Sequence, residues 1–409
     1  MRVLILGGGA AGLAAAGAAL RAGHRVTVLE RNPRPARKVM ITGKGRCNLT
    51  NDSTVEECVA HTLRNGRFLY SALSAFSPRD TEEWMESLGV PLKVERGRRV
   101  FPRSDKAVDV VDALIRWAKG AEFLTGRAAE LILEEGTCAG AVTEEGRRLE
   151  AEATVIATGG LSYPGTGSTG DGYALARQAG HAVTPTRPSL VPLVCEEADC
   201  AALQGVSLKN TGLKVEDTRR RRTVYEDFGE LLFTHYGVSG PTVLSASAHM
   251  EGMAPGRYRL HLDLKPALTP EQLDARLLRE LGAEQNRALG NMLPNLLPRS
   301  MVAPAADRAG IPPEKKCRDL TREERRRLGS VLKDWTLTVV DFRPIAEAVV
   351  TCGGVSVKEV DARTMASKLV KGLYFAGEVL DLDAYTGGFN LQIAFATGMA
   401  AGNGIGKGE

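Results

Sequence analysis

The chain has 409 residues, too many for one hydrophobic core, so two or three domains are expected. Hydrophobic residues make up 43% and charged residues 25%, a soluble globular balance, and no apolar run reaches membrane-spanning length. The net charge of +4 is too mild to demand nucleic acid as a partner. Seven cysteines, without a CxxC pair or a histidine cluster, argue against a zinc site or disulfide framework and for a reducing cytoplasm.

Val3 to Leu6 reads as a short apolar strand, followed by Gly7, Gly9 and Gly12 in GxGxxG spacing. A helix is expected from Ala10 to Ala22, rich in alanine so that it lies close to a sheet, with Gly23 ending it. The Ala-rich stretch follows a glycine turn and is not read as a signal peptide. "HRVTVLER" is the second strand, with Glu30 at its carboxyl end, 18 residues beyond Gly12. A carboxylate there accepts hydrogen bonds from an adenosine ribose and repels a 2′-phosphate, so this unit suits FAD or NAD rather than NADP.

Next come a Gly-rich loop with Gly43, Gly45, Arg46, Cys47 and Asn48, and the strand "ATVIATGG", which ends in Thr158, Gly159 and Gly160. Another loop-to-helix turn carries Thr169, Gly170 and Asp171. From about Leu190 to Leu264, short alternating runs indicate an antiparallel barrel or sandwich. The helical, charged stretch Thr269 to Lys333 opens on a Thr cap with Pro at the first helical position. The basic runs Arg219 to Arg222 and Arg325 to Arg327 are read as a solvated hairpin tip and helix face. Near the end, an apolar strand runs into Gly377-Glu378, and "TGGFN" leads into a helix from about Leu391 to Ala401. The N–H groups at that helix start offer partial positive charge, suited to a reduced flavin. Two Gly-rich units at opposite ends thus complete one FAD site, which an NAD-only domain does not need.

The stretches "KVMITGKGRCNLTN", "VFPRSDKAVDVVDAL", "GELLFTHYGVSGPTVL" and "TCGGVSVKEVDARTMASKLVKGLYFAGE" resemble, in order and over essentially the whole chain, one bacterial flavoprotein family. It is variously labelled NAD(P)/FAD-dependent oxidoreductase, aminoacetone oxidase-like and bile-acid dehydro-reductase-like. The resemblance implies an α/β fold: a Rossmann-like FAD domain of the two-dinucleotide-binding-domain type, with a β-rich barrel-like insertion and a small helical domain. The expected boundaries are residues 1–189 and 337–409 for the discontinuous FAD domain, 190–266 for the β-rich domain over the ring, and 267–336 for the helical domain. The expected contacts to non-covalent FAD are Gly7, Gly9, Ala10, Ala11, Gly12, Glu30, Arg31, Lys38, Gly43, Gly45, Arg46, Cys47, Asn48, Thr158, Gly159, Gly160, Thr169, Gly170 and Asp171. Those in the closing unit are Gly377, Glu378, Gly387, Gly388, Phe389, Asn390 and Leu391.

Flavin carries the redox chemistry, and protein groups place substrate and move protons. Tyr385, Thr386 and His235 are the candidates for that work. No second GxGxxG with strand–helix context occurs, so NADH or NADPH would act as a transient donor without a domain of its own. The favoured activity is NAD(P)H-linked reduction of an activated C=C bond in a small molecule. Its alternatives are an oxygen-using amine oxidase and a non-catalytic flavin sensor or RNA-associated flavoprotein.

Overall fold

The computed structural model describes residues 1–407. It forms two compact units, Met1–Ser189 with the chain from Ile345 onward, and Leu190–Pro344.

In the first unit, β1 (Arg2–Leu6) leads into α1 (Ala10–Arg21) and β2 (Arg25–Glu30), followed by the short α2 (Arg37–Ile41). β3 (Glu122–Thr125) and β4 (Ala153–Ile156) precede α3 (Asp171–Gln178) and β5 (Arg187–Ser189). The second unit holds strands β6 (Leu193–Cys195), β7 (Ser207–Asp217), β8 (Arg222–Thr234), β9 (Gly237–Ser239) and β10 (Tyr258–Asp263). It continues with α4 (Pro270–Ala283), α5 (Val302–Ala309), α6 (Arg322–Lys333) and β11 (Trp335–Phe342). The first unit resumes with β12 (Val350–Cys352), β13 (Leu373–Phe375) and α7 (Phe389–Gly404).

The first unit's main sheet is parallel, in the order β13-β4-β1-β2-β3. Val3 to Leu6 are all buried, as expected of a central parallel strand covered on both faces. The chain's two ends meet here, for α1 and α7 pack against each other. A Cβ on Gly398 would stand 2.4 Å from the Ala11 carbonyl, and one on Gly402 2.4 Å from that of Ala15. Glycine on α7 facing alanine on α1 is what lets the two backbones approach so closely.

The second unit is a closed antiparallel barrel, β6-β9-β8-β7-β10-β11, closed by β11 on β6. Two expectations change here. Residues 337–342 were assigned to the FAD domain, but they lie on β11, which pairs with β10 and β6 and completes the barrel. The helices of 267–336 are not separate from the barrel: Leu273, Leu277, Leu328 and Leu332 share one core with Leu213, Phe233 and Trp335. The helix starts were legible. Thr269 caps α4 in a reciprocal pair with Gln272, with Pro270 in the first turn.

Candidate cofactor-binding site

A cleft opens in the first unit at the carboxyl ends of β1, β2 and β4. That is where open α/β sheets bind ligands. Its floor is Gly7, Gly9, Ala10 and Ala11. No side chain caps the start of α1, so its first N–H groups are free for an anion. A Cβ on Gly9 would meet nothing within 4 Å, whereas one on Gly12 would lie 1.8 Å from the Gly7 carbonyl. The three glycines thus do different work: Gly9 leaves room over the cavity, while Gly12 lets the helix close on the turn.

Glu30 marks one end. It accepts from Gly8 N at 2.7 Å and from Asn32 N and Nδ2 at 2.8 and 2.7 Å. Beside it, Arg31 donates to Thr169 and pairs with Asp171 at 3.4 Å, while Arg127 lies 2.9 Å from Asp171. The carboxylate of the 169–171 turn thus answers two guanidiniums at the Glu30 end of the cavity. Thr158, Gly159 and Asp171 line the cavity, whereas Gly160, Thr169 and Gly170 do not.

At the other end Lys38 Nζ donates to Ser162 Oγ and Glu378 Oε2, both at 2.6 Å. Glu378 Oε1 accepts from Ser162 Oγ and Thr351 N, both at 2.9 Å. Burial pushes the Glu378 carboxyl up, but the Lys38 charge and these hydrogen bonds outweigh it and hold it below the usual range. Thr42, Val349, Val350, Leu382, Asn390 and Leu391 complete this end. Gly377 backs onto α1, where a Cβ would meet Ala11 Cβ at 2.7 Å.

The loop after α2 behaves differently from the expectation. Gly43, Gly45, Arg46, Cys47 and Asn48 do not line the cavity. Arg46 pairs with Glu95 at 2.9 Å and Asp105 at 3.1 Å and lies over the Phe101 ring. With its amide O and N assigned so that both ends are satisfied, Asn48 donates to Thr50 O and Val100 O and accepts from Gly388 N at 3.0 Å. Cys47 is fully buried, and burial pushes its thiol up to about 12. Because that value is raised, thiolate is scarce at every pH below it. Native protein treated with iodoacetamide at mildly alkaline pH is therefore expected to leave Cys47 unlabelled by peptide mass mapping, with labelling after denaturation. Rapid native labelling would refute this account of the buried thiol.

The "TGGFN" residues are divided. A Cβ on Gly388 would lie 2.2 Å from the Thr50 carbonyl, and the Gly387 carbonyl accepts from Asn51 Nδ2. Phe389 stacks on His61 at 4.5 Å. Of these five only Asn390 lines the cavity, followed by Leu391. Tyr385 and Thr386 are half-buried beside it, with Tyr385 edge-on to His61. His235 belongs to the other unit, exposed in the turn after β8 and packed on Tyr236. Sequence reasoning missed Ser162, Thr351, Asn32 and Arg127: Thr351 opens one of the family-resembling stretches without being singled out in it, and the other three carry no local motif. Among the described residues, no cluster of His, Cys, Asp or Glu could hold a metal ion, and no helix is long and apolar enough to cross a membrane. All seven cysteines are free thiols.

The family model described as HI0933-like protein Rossmann domain matches residues 1–404. The chain belongs to this family. The HI0933-like chain is 33% identical to the 3-dehydro-bile acid delta(4,6)-reductase of Clostridium scindens, over 98% of each chain. It is also 33% identical to the ribosomal RNA dihydrouridine synthase of Escherichia coli, over 97% of this chain and 96% of that one. In fold it is similar to a 3-ketosteroid-Δ4-(5α)-dehydrogenase from Rhodococcus jostii RHA1, with a TM-score of 0.54 at 16% identity, covering 98% of this chain and 96% of that one. The HI0933-like chain is thus a flavoprotein oxidoreductase on a Rossmann framework.

Proposed function

We propose that this chain uses non-covalent FAD, with NADH or NADPH as electron donor, to saturate a C=C bond conjugated with a carbonyl. The carrying observation is the pair of near-full-length relatives. One is named for reducing the Δ4,6 bonds of a 3-oxo steroid and the other for making dihydrouridine from uridine. In both, the double bond that is lost stands in conjugation with a C=O.

The cavity fits FAD by its donor set. Glu30 suits the adenosine ribose, and the N–H groups of Gly9, Ala10 and Ala11 suit the diphosphate. Lys38, Thr42, Leu382, Asn390 and Leu391 suit the flavin half. Neither His nor Cys lines the cavity among the described residues, in keeping with non-covalent attachment. When bound and reduced by the nicotinamide, the flavin would supply the hydride. The protein must then protonate the α carbon, and Tyr385 is our candidate, held by its backbone N–H on the His61 carbonyl at 3.0 Å. Seven free thiols suit a cytoplasmic setting.

Uridine in RNA is the second reading of the substrate, favoured by the equal identity to the Escherichia coli relative and by the exposed Arg219–Arg222 turn. The test is anaerobic stopped-flow of the FAD-loaded protein, following the visible flavin band. Bleaching by NADH or NADPH and re-colouring by a 3-oxo-Δ4 steroid or a uridine-containing rRNA fragment is the expected result, and the acceptor that works decides the substrate class. Bleaching only by an amine such as aminoacetone, with peroxide on admitting air, would make it an oxidase. Failure of the protein to take up FAD would end the reading.

A further inference from the structure

Residues 92–103 carry five cations against one carboxylate, a net +4 that equals the charge of the whole chain. They fold in the first unit as a hairpin, Leu92–Glu95 against Arg99–Pro102, with Thr50–Asn51 paired to the second strand. None of them lines the cavity. The cations are differently engaged. Arg98, at φ +56°, is an anchor: its guanidinium meets Glu57 at 2.6 and 2.9 Å, and its carbonyl accepts from Asp52 N at 2.8 Å. Lys93 is held by Asp105 at 2.6 Å, and Arg103 Nε donates to Leu92 O at 2.9 Å. Arg99 donates from Nε to the Arg96 carbonyl at 3.0 Å; Glu95, 3.9 Å from it, is taken by Arg46 at 2.9 Å. Arg96 is exposed at the turn, and its side chain has no hydrogen-bond or ion-pair partner among the described residues. Asn51 fixes where the turn stands. Its Nδ2 donates to Gly97 O at 3.0 Å and to Gly387 O at 3.1 Å. The turn is thereby tied to the loop that holds Tyr385 and leads to the cavity residue Asn390.

We infer that this turn, through Arg96 and Arg99, binds the diphosphate of the nicotinamide donor. This rests on the donor reading above and gives it a site of its own. The chain has one GxGxxG unit with strand–helix context, and the N–H groups at the start of its helix suit the diphosphate of FAD. A dinucleotide donor therefore needs another cradle for its two phosphate charges. Planar guanidiniums meet phosphate oxygens in pairs of parallel hydrogen bonds. Arg96 and Arg99 offer theirs at the turn, where neither has a carboxylate at hydrogen-bonding distance. The tie through Asn51 sets that cradle beside the loop of Tyr385. An RNA backbone would use the same patch under the uridine reading alone, whereas the donor is common to the steroid and uridine readings. The dinucleotide is accordingly the favoured occupant.

The experiment is the anaerobic reduction of the FAD-loaded protein by NADH, NADPH and the phosphate-free donor N-benzyl dihydronicotinamide, read as donor Kd and limiting rate of flavin bleaching. Arg96→Ala/Arg99→Ala is expected to raise the Kd of NADH and NADPH alike by about tenfold. Its FAD content and its reduction by the benzyl compound should match wild type. Arg96→Lys/Arg99→Lys should recover part of the affinity, because the charge returns without the fork. Added salt should weaken dinucleotide binding more steeply in wild type than in the Ala variant. The inference is overturned if the Ala variant binds both dinucleotides within about twofold of wild type, or if reduction by the benzyl compound falls in parallel. A loss confined to NADPH would also overturn it, by placing the contact on the 2′-phosphate. Unchanged donor kinetics, with re-colouring lost for the rRNA fragment alone, would assign the turn to RNA instead. Wild-type flavin bleached by the benzyl compound but by neither dinucleotide would sink the donor reading itself.

Discussion

Gly12→Val is expected to prevent the first unit from folding around FAD. The added Cβ would sit 1.8 Å from the Gly7 carbonyl oxygen and 3.0 Å from its carbon, both backbone atoms. Gly7 cannot yield. Its φ is +102°, and any Cβ there would lie 2.6 Å from the Ala157 carbonyl on the next strand. Relief requires α1 to lift from β1, and α1 is held from the far side by α7. Overpacking a tight core costs about 1–3 kcal/mol, and a backbone collision between two such elements exceeds that. With domain stabilities of about 5–15 kcal/mol, most of the protein should be lost from the soluble fraction, or unfold at much lower urea by circular dichroism. Gly9→Val is the informative partner, since that position is open. It should keep the urea midpoint and lose FAD, because the side chain projects into the space above the helix start. Equal midpoints and equal FAD affinity for Gly12→Val and wild type would refute this account of the turn.

The same glycines explain what was legible in the sequence. A turn that needs positive φ, a helix that must lie close and an acid at the next strand's end are local demands, visible within thirty residues of chain. The pairing of the two ends was legible for the same reason, because each end carries its own local signature. What was not legible is contact without spacing. Lys38 and Glu378 are 340 residues apart; Ser162 belongs to no pattern that marks it, and the stretch that Thr351 opens does not say which of its residues reaches the pair. The loop residues Arg46 and Asn48 look like ligands in a Gly-rich string. Whether a polar side chain turns outward to a ligand or inward to Glu95 or Gly388 is decided by tertiary neighbours. The domain boundary failed in a related way. "LTVVDF" alternates as any half-buried strand does, and alternation does not say which sheet a strand joins. Likewise a capping box announces where α4 starts but not that its leucines complete the barrel's core.

Arg64→Ala is expected to destabilise the first unit by about 2 kcal/mol at neutral pH, less than the 3–5 typical of a fully buried pair because the arginine is partly exposed. Its Nε lies 3.3 Å from Asp381 Oδ1; the Asp381 side chain is 5% exposed and the Arg64 side chain 38%. The loss would leave two carboxylates without this cation, for Asp383 belongs to the same cluster and accepts from Ser189 Oγ at 2.7 Å. Burial pushes the Asp383 carboxyl up, against the pull of the Ser189 hydrogen bond and the charges of Arg187 and Arg64. A carboxyl raised in the folded state binds its proton more tightly there than in the unfolded chain. Its ionised form therefore costs stability at neutral pH, and that cost is relieved as pH falls through the raised value toward the ordinary Asp range near 4. Removing Arg64 raises the carboxyl further and enlarges the part that acid can recover. The gap in urea midpoint between Arg64→Ala and wild type should accordingly narrow between neutral pH and about pH 5. Asp383→Asn in the Arg64→Ala background should narrow it at neutral pH, since the neutral amide carries no charge to desolvate. A gap that stays constant or widens on acidification would mean that Arg64 acts through packing instead. The stake extends to the site, because Leu382, between the two aspartates, is a wall of the cavity.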